Sequence, residues 1–183
     1  MASADAVLDA GETLVSLVTA AVAGMVTPSN VMLSTADEMR TFSPPDPAVT
    51  VFLYNVTVNA ETRNAPPPPG LPRPPLQLEL RYLVTPWAKD AATSHLICGH
   101  VLQHLADRAT LVRGDLAGSS WAVDDTLQIL LESLPVSEHH DIWEPADIPY
   151  KLSLAYLVRV VGLDPVLPSG AGVVTGATFG GLP

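Results

Sequence analysis

The chain is short of charge. Asp, Glu, Lys and Arg make up 15% of its 183 residues, against roughly 25% in an ordinary soluble domain, so part of its surface is expected to be covered by other protein. Positive charge is scarcer still. Nine Lys and Arg face nineteen Asp and Glu, for a formal net charge of −10, which argues against phosphate-backbone binding and hence against a nucleic-acid partner. A single cysteine excludes an internal disulfide and fits a reducing compartment, so assembly in the cytoplasm is expected. The first twelve residues carry Asp5, Asp9 and Glu12 and no Lys or Arg, unlike the positive start of a secretory signal. The uncharged stretch from Thr13 to Val26 is shorter than the ~20 residues needed to cross a bilayer, so no membrane insertion is expected. Phosphate loops, dinucleotide fingerprints and the glycine–serine–glycine elbow of hydrolases are all missing, and no cofactor is expected.

What is present suits one folded domain. Hydrophobic residues account for 48%, enough for a core at this length. Val7, Leu14, Leu17, Val18, Ala21 and Met25 recur at helical spacing and predict an N-terminal amphipathic helix, ended by Gly24 and Thr27-Pro28-Ser29-Asn30. Val31–Leu33 suits a short strand, and a loop is expected through Pro44-Pro45-Asp46-Pro47. Thr50–Asn59 is rich in β-branched and aromatic residues and predicts a long strand. Leu76–Val84 alternates apolar and polar residues, with Pro86 expected to stop it. Asp90–Arg108 predicts a middle helix with Ile97, Val101, Leu102 and Leu105 on one face. Thr126–Leu134 predicts a strand, and Ser137 is placed to cap a short third helix reaching Trp143. Tyr150–Val161 predicts a strand with Tyr150, Leu152, Leu154, Tyr156, Val158 and Val160 on one face. The expected class is therefore α/β (α+β), with a mixed, largely antiparallel sheet of about four strands flanked by three helices. Residues 1–163 form the expected domain, with a proline-rich connector at 65–75 that lacks backbone donors and stays extended. Residues 164–183 read as a flexible Gly/Pro-rich tail.

Candidate chemistry is thin. His100 and His104 stand four apart on the middle helix, a spacing that can place two imidazoles on one ion, but no third ligand is placed by spacing. His139 and His140 belong to a different, acidic helix, and no metal site is expected. Cys98, with His95 three residues away, would need an electropositive, partly exposed setting to act as a nucleophile; a small core thiol is the simpler reading.

Charge is unevenly spread. From Gly114 to Asp147 there are eight acids and no Lys or Arg, whereas Arg40, Arg63, Arg73, Arg81, Lys89, Arg108 and Arg113 all precede that stretch. A solvated face explains such a run; so does a head-to-tail contact in which the basic part of one copy meets the acidic part of the next. Asp124, Asp125, Glu138, Asp141 and Glu144 on the acidic side, with Arg63, Asn64 and Arg73 on the other, are the candidate interface residues. The spacing Pro69-Gly70-Leu71-Pro72 also fits a peptide ligand for an aromatic-lined groove, against the simpler reading of a rigid spacer.

Three stretches in order carry a resemblance. They are Val51-Phe52-Leu53-Tyr54-Asn55-Val56 with Arg63-Asn64 and the prolines after it, then Arg73-Pro74-Pro75 through Thr85-Pro86, then Pro149-Tyr150 through Tyr156. Their order and spacing, over about residues 4–163, resemble the N-terminal domain of the cap, or tail-terminator, protein of phage-tail-like extracellular contractile injection systems. The resemblance implies a non-enzymatic α/β subunit of a six-fold homo-oligomeric ring. That ring would sit on the distal end of the inner tube and sheath, stop their polymerisation and couple the two. It brings no catalytic residues; Tyr54, Asn55, Arg63, Asn64, Arg73, Tyr82, Pro86, Tyr150 and Tyr156 match its recurrent positions. Two other readings stand beside it: a binding module acting through the proline-rich arm, and a small enzyme using His95, Cys98, His100 or His104.

Overall fold

A computed structural model describes residues 4–59, 66, 74–163 and 165 of the chain. Six strands form one sheet in the order β1-β2-β3-β6-β5-β4. They are β1 (Val31–Leu33), β2 (Ala48–Val58), β3 (Leu76–Trp87), β4 (Thr110–Val112), β5 (Thr126–Glu132) and β6 (Leu154–Leu163). Only β1 and β2 run parallel; the other four pairings are antiparallel. The helices are α1 (Ala6–Ala21), α2 (Ala36–Arg40), α3 (Ala91–Ala106) and α4 (Val136–Trp143). The class is the expected mixed α/β one, but the sheet has six strands rather than about four. β1 is the short strand expected at Val31–Leu33, whereas β4, the other edge, has three residues and is too short for a period to show.

Strand alternation sorts the side chains onto two faces. On the first, Val49 and Val51 of β2, Leu78, Leu80, Tyr82 and Val84 of β3, Tyr156, Val158 and Val161 of β6, and Leu127 and Ile129 of β5 meet Leu14, Leu17 and Val18 of α1 and Ile97, Val101 and Leu105 of α3. Burying these apolar side chains is the main stabilising term of the fold. The loop after β4 is fastened to α1 by polar atoms. Asp9 accepts from the Ser120 amide (3.0 Å) and hydroxyl (2.6 Å), and Thr13 Oγ1 accepts from the Ala117 amide at 2.9 Å. Gly118 lies there at φ 79°, and a Cβ at that position would run into the Asp9 carboxylate. Among the described residues no helix is long and apolar enough to cross a membrane.

On the second face, Met39 of α2 and Trp143 of α4 close over Ala48, Leu83, Trp87 and Ala155, with Phe42, Phe52, Tyr54, Leu134, Ile142 and Ile148 packed around them. Trp87 donates from Nε1 to Thr50 Oγ1 at 2.9 Å and meets Phe42 edge-on with ring centres 5.1 Å apart.

Several expectations are corrected. Pro86 does not stop its strand: it pairs with Val49, while the pairing of β3 with β6 ends at Val84. Pro86 thus sits where β3 has a strand on one side only, a setting in which a sheet tolerates proline. The last strand begins at Leu154, so Tyr150 and Leu152 precede it and are 49% and 43% exposed. A bulge opposite Leu78/Glu79 also shifts its inward face, placing Val161 against Leu78 and in the core. Ser137 lies inside α4, whose cap position is Pro135. The segment 34–47 contains α2, held by a capping box in which the Glu38 amide donates to Thr35 Oγ1 (3.3 Å) and the Thr35 amide donates to Glu38 Oε2 (2.7 Å). The Thr35 amide and the Thr35 hydroxyl, which donates to the same Oε2 at 3.0 Å, favour the charged carboxylate and lower the Glu38 pKa.

Candidate functional site

The second face is only half covered. Beyond the cluster around Trp143, the exposed part of the sheet carries a polar network centred on Arg81. Its guanidinium donates to Glu132 Oε1 (3.1 Å), Thr57 Oγ1 (2.7 Å) and Glu79 Oε2 (3.4 Å). Arg159 reaches the other oxygen of Glu79 at 3.4 Å, and the Tyr54 hydroxyl donates to Glu132 Oε2 at 3.3 Å. Burial and the neighbouring Glu132 carboxylate push the Tyr54 phenol up to about 12. Local backbone sets this arrangement. β2 is bulged between Leu53 and Asn55, leaving Tyr54 without a partner on β3. The extra residue sends Tyr54 and Asn55 to the same side of the sheet, where both line the groove described next.

That groove, about 710 Å³ in volume, runs between the sheet and α4. Phe52, Tyr54, Leu134 and Ile142 supply apolar and aromatic walls, Arg81 and Glu132 the floor, and Glu138 and Asp141 an acidic rim. Glu138 and Asp141 are exposed and, unlike Glu132, make no ion pair among the described residues. The groove thus joins apolar and aromatic walls to an acidic rim.

The structure brings together some of the candidate interface residues and separates others. Glu138 and Asp141 share the groove rim; Glu144, the residue just past the end of α4, is exposed. Asp124 and Asp125 lie apart, in the turn before β5, where Asp125 accepts from the Ala122 amide at 2.8 Å and Asp124 is exposed. Val123 beside them is 91% exposed, the most exposed large apolar residue described. Arg63, Asn64 and Arg73 lie outside the described residues. The groove itself was not legible from sequence. Its residues come from β2, β3, β5, α2 and α4, and only the apolar-to-acidic change at Leu134–Asp141 hinted at it.

The catalytic candidates find no support. Cys98 is 8% exposed, and burial raises its thiol pKa, the opposite of an activated nucleophile. His100 is exposed, and His104 Nε2 is enclosed without a hydrogen-bond partner. Among the described residues, the one group of His, Cys, Asp or Glu close enough to share an ion is His140, Asp141 and Glu144, all exposed. Three exposed side chains at the end of a short helix do not make a built site.

A family model described as the Pvc16 N-terminal domain matches residues 9–176. No curated protein matches the chain in sequence. Two of the solved structures with a matching fold are as follows. One is the sheath/tube terminator, in the extended state, of the extracellular contractile injection system PVC. It aligns with TM-score 0.58 and 17% identity over 95% of this chain and 65% of that one. The other is the anti-feeding prophage cap, a tube-terminating cap, with TM-score 0.61 and 18% identity over 94% of this chain and 60% of that one. The chain spans less than two thirds of either.

Proposed function

The chain belongs to the Pvc16 N-terminal domain family, and on that premise we propose that it caps the tube and sheath of a contractile injection particle, ending their growth and coupling the two. The observation that carries this reading is a fold shared, over nearly the whole chain, with a sheath/tube terminator and a tube-terminating cap. The role is structural, and its partners are further copies of itself in a ring together with the particle's tube and sheath proteins. The particle is assembled in the cytoplasm and acts outside the cell.

The chemistry supports an assembled subunit. Charge is scarce, and five of the eight acids of residues 114–147 lie at two places, Asp124 and Asp125 in the turn before β5, and Glu138, Asp141 and Glu144 on α4 and the residue that follows it. On this reading both meet a neighbouring copy, with the cations Arg63 and Arg73 and the polar Asn64 answering them. Electron microscopy of particles from producing cells with and without the gene tests the reading. Overlong, ragged or missing sheathed particles in the deletion are expected, and particles of normal length and sheath would overturn it. Complementation with Asp124→Lys, Glu138→Lys and Asp141→Lys together is expected to fail, and normal capping by that variant would remove these acids from the interface.

A further inference from the structure

The groove beside α4 combines two kinds of wall that seldom serve the same ligand: aromatic and aliphatic side chains (Phe52, Tyr54, Leu134, Ile142) and carboxylates that make no ion pair among the described residues (Glu138, Asp141). A matching ligand is an extended apolar segment that carries a guanidinium or ammonium group. Most of the chain's own cations are already engaged. Arg81 and Arg159 hold Glu79 and Glu132, Arg40 lies 3.5 Å from Asp37, Arg113 donates to the Leu116 and Gly118 carbonyls, and Lys151 stands 5.0 Å over the Trp87 ring. Lys89 and Arg108 stand singly at opposite ends of α3. Only Arg63 and Arg73 share one short segment, which between them holds five prolines, one leucine and no acid. Prolines keep such a segment extended and present it to aromatic grooves at low entropic cost.

Resting on the reading of the chain as a ring subunit, we propose that the groove of one copy receives the 60–73 connector of the next, with Arg63 at the Glu138–Asp141 rim and the prolines against Tyr54 and Phe52. The connector is rooted at the end of the β2–β3 hairpin. There Val56, Val58 and Leu76 are 43–48% exposed on the sheet face that α1 and α3 cover elsewhere. A half-exposed apolar patch at the root suits contact with another protein, and such a contact would bring the connector to a neighbour. The contact joins two different surfaces, so it is heterologous, the type that closes into rings.

Two tagged full-length chains in a Cys98→Ala background test this. One carries Ala36→Cys in the groove and the other Asn64→Cys in the connector; a third chain carries both. A disulfide joining the two tags under mild oxidation is the expected result. Introducing Glu138→Arg and Asp141→Arg in the groove chain should lower its yield about tenfold, and adding Arg63→Glu and Arg73→Glu to the connector chain should restore it. Circular dichroism of each variant confirms that the fold persists, so a lost crosslink is not mistaken for unfolding. A disulfide formed only within the doubly substituted chain would make each copy its own occupant and overturn the proposal. Absence of any disulfide, or loss without charge-reversal rescue, would overturn it too. Particle length in cells reports separately on capping, so normal capping with a failed crosslink would sink this contact and leave the cap reading standing.

Discussion

The two faces of one sheet have been put to different uses. On the face under α1 and α3, Leu14, Leu80, Val49, Val51 and Val158 are at most 1% exposed, and the Tyr82 hydroxyl reaches only the Val7 carbonyl, at 3.5 Å. On the other face the same strands present a small aromatic cluster at one end and, at the other, two arginines and two glutamates 14–38% exposed. Alternation alone explains how β3 serves both: Leu78, Leu80 and Tyr82 point one way, Glu79 and Arg81 the other. A dry layer holds the fold together, and the half-covered layer keeps its charges paired near the surface, where the proposed contact would lie.

Leu80→Ala should give the largest break in this comparison. At 0% exposed in the middle of the dry face, the truncation is expected to cost about 2–5 kcal/mol of unfolding free energy, read from urea midpoints. A loss under about 1 kcal/mol would mean that the helical layer is more loosely packed than the structure has it. Gly118→Ala comes next. The positive φ and the Asp9 carboxylate both oppose a Cβ, and an expected cost of about 1–3 kcal/mol follows. Asp9→Ala in the same chain should relieve the steric part of that cost, so the two changes should not add. On the other face, Arg81→Met leaves Glu79 and Glu132 close together with Arg159 alone to answer them. It should cost about 1–3 kcal/mol, and Glu132→Gln in the same chain should return part of it. Glu132→Gln alone should bring the Tyr54 phenol down from about 12, seen by ultraviolet titration; an unmoved titration would show that burial alone sets it.

How far the sequence reveals this division depends on the residues concerned. The dry face was legible because α1 and β3 are long enough for a period to emerge, and Leu14, Leu17, Leu78 and Leu80 fell where the pattern put them. The other face was not. Bulges at Tyr54 and opposite Glu79 each insert one residue, and strict alternation read past such an insertion assigns the wrong face. The short α2 hid among prolines, although Thr35-Ala36-Asp37-Glu38 has the spacing of a capping box and was the signal that could have found it. Glu138 and Asp141 were picked out by charge, but their meeting with Tyr54 and Phe52 is tertiary. It rests on β5 lying two strands from β3 in the sheet order, which no local pattern encodes.

The smallest expected effect separates the two faces most cleanly. His139 lies on α4, partly buried, with its Nδ1 enclosed and without a hydrogen-bond partner and its ring 6.4 Å from that of Tyr150. Burial disfavours the imidazolium and lowers the pKa below the ordinary 6.5. A histidine whose pKa falls on folding adds stability that is present above its unfolded pKa and lost as the pH falls through the folded one. Acid should therefore loosen α4 first, and with it the wall of the groove bearing Glu138 and Asp141. Hydrogen exchange between pH 7 and 5 is expected to speed up at α4 amides relative to those of α1 and α3, and His139→Gln should abolish that difference. Equal acceleration of all three helices would mean that α4 opens only with the whole domain, and that the groove is as firmly held as the core.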